Sequence, residues 1–319
     1  MSFIQSLEQN VAILNQKEGI KKILLIDGDD KRAQEAAKLL KKTGLVEPVL
    51  LLEKFEVVEG VTTIVMEKKQ QKEFAQKFFE LRKGKETEEA ATKAMETRPF
   101  YAMMLLQQQL VDGVVGGLLY TTGDILRAAF KIIGAKPGIK TISSAIVMAK
   151  GSKSLIFSDI SVNINPNEIQ LHEIGLNAAD FAKSLELDPK VAFLSFSTDG
   201  SAISDETKKV VEATRLYNEK APQNPAIGEV QFDAALDLEV RKSKYKKNSF
   251  AEVANVLIFP DLNSGNIGYK IAQRLGDYEA IGPIITGINK PVNDLSRGAT
   301  VNDVYGTVLI TTLQTKGQK

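Results

Sequence analysis

The segment 287–305, GINKPVNDLSRGATVNDVY, gathers a hydroxyl (Ser296), a cation (Arg297), a flexible glycine (Gly298) and a carboxylate (Asp303) into eight residues. Such a set suits chemistry done by hydrogen-bond donors, a fixed positive charge and a proton acceptor. The spacing also predicts a helix starting near Thr300, a sound N-cap, which puts Asp303 at N3, where the helix dipole favours a carboxylate. At this point a catalytic and a purely structural Asp303 are equally open.

Three other stretches share the pattern of an apolar strand, a loop of glycine and small polar residues, then a helix. They are Tyr120–Asp124, Ser197–Ser201 and Pro260–Asn266. Backbone N–H groups at such helix starts favour anions, although Asn, Ser and Asp there also serve as plain caps. Arginine is used sparingly: of 41 Lys and Arg, eight are Arg, the side chain suited to planar, bidentate contact with phosphate or carboxylate. Arg127 follows the Tyr120–Asp124 loop within a turn, Arg297 lies in the last loop, and Arg82 ends a polar helix. Arg32, Arg215, Arg241 and Arg274 sit among charged helix residues and read as surface ion-pair members, and Arg98, before Pro99, fits either role.

Other chemistries are excluded by composition. With no Cys and a single His (His172), a disulfide framework, a Cys nucleophile, a Cys-based zinc site and any two-His metal site all fall away. His172 lies in an amphipathic helix, which predicts a solvated or capping role. There is no GxGxxG, and 134–141, GAKPGIKT, departs from a P-loop in its spacing and its proline. Lysine plus arginine exceeds aspartate plus glutamate by one (41 against 40), so no global field draws nucleic acid or an acidic membrane. No targeting segment and no apolar run of membrane-spanning length is evident, so a cytoplasmic address is expected.

The elements that must position these residues alternate strand and helix through most of the 319 residues, the pattern of a parallel sheet with helices on both faces. Strands are expected at 22–26, 48–52, 62–66, 113–118, 191–196, 254–259 and 281–286. Helices are expected at 31–42, 99–111, 122–133, 167–185, 204–219, 264–275 and from about Thr300, with one or two solvated helices across 68–96. The runs 146–148, 154–157 and 161–164 follow one another without a full helix between them, which predicts antiparallel pairing at the start of a second domain. The basic run Lys242–Lys247 reads as an exposed loop.

Together, PVNDLSRGATVNDVY, FPDLNSGNIGYK, LSFSTDGS and TTGDILRAA resemble the phosphate acetyl/butyryl transferase family over essentially the whole chain. The resemblance implies two three-layer α/β domains of the isocitrate/isopropylmalate dehydrogenase-like type with a central cleft, assigned as 1–144 plus 299–319 and 145–298. It also implies a homodimer. The implied reaction moves an acetyl group between acetyl phosphate and coenzyme A, releasing inorganic phosphate, with no metal or other cofactor because coenzyme A is a substrate. Carried over by motif, Ser296, Arg297 and Asp303 are the catalytic group, with Asp303 taking the thiol proton and Arg297 and Ser296 stabilising the transition state. Arg82 and Arg127 are implied to hold substrate phosphates, and Thr122, Asn263, Gly265 and Asn266 to complete the binding surface. A thiol of pKa ~8.5 and a carboxylate near ~4 are poorly matched, so concerted proton transfer or a carboxyl raised by burial is required. The alternatives are a butyryl-transferring member of the family and a non-catalytic coenzyme A-binding protein of the same fold.

Overall fold

A computed structural model describes residues 2–247 and 250–317. The chain forms two compact units: Ile4–Lys136 with the stretch from Ile288 onward, and Pro137–Gly287 with the first residues of the chain. Both crossings fall earlier than the expected boundaries after 144 and 298. The second shift matters for the site, because Ser296 and Arg297 join Asp303 in one unit.

The first unit begins with α1 (Phe3–Glu18), β1 (Lys22–Leu25), α2 (Lys31–Thr43), β2 (Glu47–Leu52) and β3 (Thr62–Val65). It continues through α3 (Lys68–Arg82), α4 (Glu88–Met95), α5 (Arg98–Gln107), β4 (Gly113–Gly116) and α6 (Thr122–Ile132). The second unit runs β5 (Ser143–Lys150), β6 (Lys153–Ser158), α7 (Glu168–Ser184), β7 (Val191–Leu194), α8 (Asp205–Lys220) and β8 (Ile227–Val230). It ends with α9 (Phe232–Leu236), α10 (Leu238–Lys244), β9 (Val256–Ile258), α11 (Leu262–Gly276) and β10 (Glu279–Thr286). The chain then completes the first unit with β11 (Val292–Asp294) and α12 (Val301–Gln314).

In the first unit the strands run β3-β2-β1-β4-β11, all parallel. Beyond an exposed Lys22, the KILL strand is apolar and buried, as a sheet covered on both faces demands. Helices α2 and α12 pack together on this sheet, and α5 packs with α6. Residue alternation along β11 shows the two faces: Asn293 donates to Thr311 Oγ1 (2.8 Å) and Gln314 Oε1 (2.7 Å) of α12, whereas Asp294 meets α6.

The second unit is a mixed sheet, β10-β5-β6-β9-β7-β8, antiparallel at β10/β5/β6 and parallel from β6 to β8. The antiparallel start expected from 146–148 and 154–157 is present. Phe193 meets Tyr217 of α8 edge-on at 5.5 Å on one face, while Phe157, Leu194, Leu257 and Phe259 join the buried cluster under α9, α10 and α11. Burying side chains of this size contributes about 1.5–3 kcal/mol each, the main stabilisation of such a unit.

Several sequence expectations shift. Residues 161–164 form a loop rather than a strand, and α5 ends at Gln107, short of 111. The basic run is helical through Lys244, and its Tyr245 is buried. His172 is buried, not solvated, in α7. Arg241 is no surface ion-pair member: it is buried and donates to the carbonyls of Ala234, Ala235, Phe250 and Glu252. Among the described residues no helix is long and apolar enough to cross a membrane.

Candidate active site

The stretch 289–298, read from sequence as one loop, is interrupted by β11. Three residues of strand (Val292–Asp294) are too short to show a period against their polar flanks, yet they pair with Val114–Gly116 of β4. Asn289 and Lys290 therefore enter at the amino end of β11, and Ser296 and Arg297 leave at its carboxyl end. That end is where loops and helix N-termini of a parallel sheet converge on a ligand.

At the carboxyl ends of β1, β4 and β11 the first unit is braced by acidic side chains. Asp27, following β1, is buried and accepts from the amides of Gly117 (2.7 Å), Leu118 (3.0 Å) and Leu119 (3.1 Å). Burial pushes its carboxyl above the ordinary range, while the three amides pull it back. Asp30 caps α2 and grips Arg32 through two contacts, 3.0 and 2.7 Å, so the guanidinium holds this carboxyl below its usual range. Arg32 Nη1 then donates to the carbonyls of Arg297 and Ala299, each at 2.8 Å. Far from being a surface ion-pair member only, Arg32 holds the backbone turn of the sequence-predicted catalytic pair.

On that turn Ser296 O accepts from Ala299 N (2.9 Å) and Ser296 Oγ from Gly298 N (3.3 Å). Ser296 and Arg297 are exposed, and among the described residues the Arg297 guanidinium has no ion-pair partner. The turn leads into α12, whose capping box matches the sequence reading: Asp303 N donates to Thr300 Oγ1 (3.2 Å), while Asp303 Oδ2 accepts from Thr300 N (2.7 Å) and Oγ1 (2.9 Å). Asp303 thus has a structural role in place, fixed at the first turn of α12 and half-buried.

Thr122 opens α6, where Thr121 and Asp124 make a second capping box. Its hydroxyl donates to Asp294 Oδ2 at 2.5 Å, joining α6 to the end of β11. Arg127 is exposed and paired only loosely, at 3.3 Å, with Asp124. Arg82 is not brought beside Thr122. It bonds Lys131 O (3.3 Å) at the far end of α6, about 14 Å along the helix axis from Thr122 at 1.5 Å per residue. Its Nε is buried without a hydrogen-bond partner. Arg98, ambiguous in the sequence, is buried, ion-paired with Asp29 and bonded to Tyr120 Oη (3.0 Å).

The remaining sequence-predicted residues belong to the second unit. Asn266 Nδ2 donates to Ile160 O (3.0 Å), Asn263 is exposed, and Gly265 packs so closely that a Cβ there would lie 2.2 Å from Asp159 O. The α11 N-terminus is thereby seated on the 159–163 loop, which buried Asp159 organises. Its carboxylate accepts from the amides of Ser144 (3.1 Å), Ser161 (3.1 Å), Val162 (3.2 Å) and Asn163 (2.8 Å), and from the Ser144 hydroxyl and Asn163 Nδ2. In the LSFSTDGS stretch, buried Glu229 does similar work, accepting from Ser197 Oγ (2.9 Å) and Gly200 N (2.7 Å).

Asp27, Arg32, Asp159, Glu229 and Asp294 were not singled out by the sequence reading. The signal for two of them, Asp27 and Asp159, is an acidic residue following a short strand, where a carboxylate can take several converging amides. Among the described residues no group of three or more His, Asp or Glu side chains is placed to hold a metal ion.

An exposed arginine without an ion-pair partner among the described residues, on a turn braced from behind, suits contact with an anionic group. Residues 2–312 match the family model described as phosphate acetyl/butaryl transferase, and the chain belongs to that family of acyltransferases. It is 48% identical over 242 residues to a phosphate acetyltransferase of Bacillus subtilis, covering 76% of this chain and 75% of the relative. It is 40% identical over 315 residues to a phosphate acetyltransferase of Mycoplasma capricolum, covering 96% and 98%. The crystal structure of a phosphotransacetylase from Streptococcus pyogenes superposes with a TM-score of 0.89 at 40% identity, covering 96% and 98%.

Proposed function

We propose that this enzyme transfers an acetyl group between acetyl phosphate and coenzyme A by direct attack of the thiolate sulfur on the acyl phosphate carbonyl. The observation that carries the reading is the exposed Arg297 guanidinium, unpaired on a turn that Arg32 holds at two carbonyls. A fixed cation costs no reorganisation as charge builds on the carbonyl oxygen and the departing phosphate. Ser296 Oγ, accepting from Gly298 N, keeps its own proton available to donate to the same region.

Asp303 is the proposed acceptor of the thiol proton. The sulfur–carbon bond forms, the proton passes to Asp303 as it does so, and the carbon–oxygen bond to phosphate breaks with its electron pair leaving on phosphate. Concerted transfer generates the thiolate only as it attacks, since free thiolate is scarce at neutral pH for a thiol of pKa ~8.5. The two bonds that Asp303 accepts from Thr300 fix its carboxylate before the substrate arrives. Arg127 and Arg82, the latter bonded one turn further along α6 at Lys131 O, are the proposed holders of substrate phosphate groups. Thr122 in the first unit, and Asn263, Gly265 and Asn266 in the second, are each proposed substrate-binding residues. Coenzyme A enters as a substrate, and the reaction as written needs no cofactor; a homodimer in the cytoplasm completes the reading.

The test is thioester absorbance from coenzyme A with acetyl or butyryl phosphate, a chelator present. Acetyl phosphate is expected to turn over faster, each added methylene being worth about 1–3 kcal/mol in a fitted pocket. A preference for butyryl phosphate, or no thioester from acetyl phosphate, contradicts the proposal.

A further inference from the structure

Two residues before Ser296, at the last position of β11, Asp294 is 1% exposed. Its Oδ2 accepts one hydrogen bond, from Thr122 Oγ1 at 2.5 Å. Its Oδ1 is buried with no partner and lies against Gly117, where a Cβ would approach to 2.4 Å. That residue sits at φ +119, a conformation and a clearance only glycine allows, so the backbone after β4 is shaped around this carboxyl. The nearest amide, Leu295 N, is committed to Gly116 O at 2.7 Å.

Among the described residues no cation is ion-paired with Asp294, and the nearby Arg98 and Arg32 act on Asp27. The charged neighbour is Asp27 from the end of β1, itself committed to the amides of Gly117–Leu119. The end of β4 presents Gly116 and Gly117, and α6 presents the Thr122 hydroxyl, with its Asp124 turned into the capping box and Arg127. An ionised Asp294 here would be a buried unpaired anion beside a second carboxylate, whereas the protonated form leaves only one hydrogen bond unmade, a far smaller cost.

We propose that Asp294 is a positioning residue for acetyl transfer: as a neutral acid it ties the strand end bearing Ser296 and Arg297 to the first turn of α6 through Thr122. It touches no reacting atom in this account. It keeps negative charge out of the ground behind a turn that must attract anionic substrates. Burial pushes the carboxyl up to about 7, with the Thr122 hydroxyl and the Leu295 amide pulling back and Asp27 adding to the rise. The neutral form is therefore lost across the neutral range.

The inference rests on the acetyl-transfer reading, and its test separates the two. The kcat for thioester formation is measured from pH 5.5 to 9 at saturating acetyl phosphate and coenzyme A, with folding checked by circular dichroism. Substrate ionisations are common to every variant and cancel in the comparison. Wild type is expected to lose turnover through a descending limb near pH 7. Asp294→Asn, neutral at every pH and still an acceptor for Thr122, is expected to keep at least a third of wild-type kcat at pH 6 and to lack that limb. Thr122→Val, which strips the carboxyl of its side-chain donor, is expected to move the limb to higher pH and lower kcat about tenfold. Thr122→Ser is expected to restore the wild-type limb, and the Val/Ser pair decides the matter if Asp294→Asn does not fold. A limb that persists in Asp294→Asn or stays put in Thr122→Val overturns the proposal, as does a wild type without one. A hundredfold loss in folded Asp294→Asn at pH 6 also overturns it, making the carboxyl itself a proton carrier. No turnover by wild type at any pH overturns the acetyl-transfer reading, and this inference with it.

Discussion

Asp159 and Asp294 occupy matching places in their separate units, each buried where a strand gives way to a site loop, yet their surroundings are opposite. Asp159 receives four backbone amides, a hydroxyl and a side-chain amide, so its loop is wrapped around the carboxylate. Asp294 has one hydroxyl and an orphan oxygen. The first is a fixed organiser whose value is the number of donors it satisfies. The second is held in a place that resists its charge, and such places are where a fold couples structure to pH.

The largest break in that comparison is expected at Asp159. Asp159→Ala leaves several buried donors unmade, each costing about 1–3 kcal/mol and together less than additive. A loss of about 3–5 kcal/mol in urea unfolding is predicted, and a loss under about 1 kcal/mol would mean that the loop holds its shape without the carboxylate. At Asp294 the sign reverses. The unfolded carboxyl titrates near ~3.9 and the folded one near about 7, so between those values the native state keeps a proton that the unfolded state gives up. Wild-type stability contributed by this group therefore falls as pH rises through that window and is flat above it. Asp294→Asn removes the dependence, so the variant should match wild type near pH 4 and exceed it by about 2–4 kcal/mol at pH 8. Equal stability of the two at pH 8 would place Asp294 with the well-partnered carboxylates.

Much of this was legible in the chain. The alternation of apolar runs and helices gave both α/β units, and Thr300 with Asp303 was readable as a capping box because N-cap chemistry is local. The role of Arg32 was not, since its bonds reach carbonyls more than 260 positions away and a charged helix start looks the same whether its arginine faces water or a turn. Strand β11 was hidden for a different reason: three residues flanked by Pro291 and Leu295 carry too little periodicity to separate strand from loop. Missing it also misplaced the domain crossing and left Asp294 unremarked inside a polar motif. Arg241 and His172 were misread because burial of a polar side chain is decided by the carbonyls and neighbours that tertiary packing supplies.

Arg297, without an ion-pair partner among the described residues and braced from behind, is proposed to act in the transition state. Its most direct test is steady-state thioester formation by Arg297→Ala over full ranges of acetyl phosphate and coenzyme A. The kcat is expected to fall by about 10²–10³, the usual cost of losing one such stabilising donor, with both KM values little changed. A variant with kcat intact and only KM raised would contradict it, assigning Arg297 to ground-state binding.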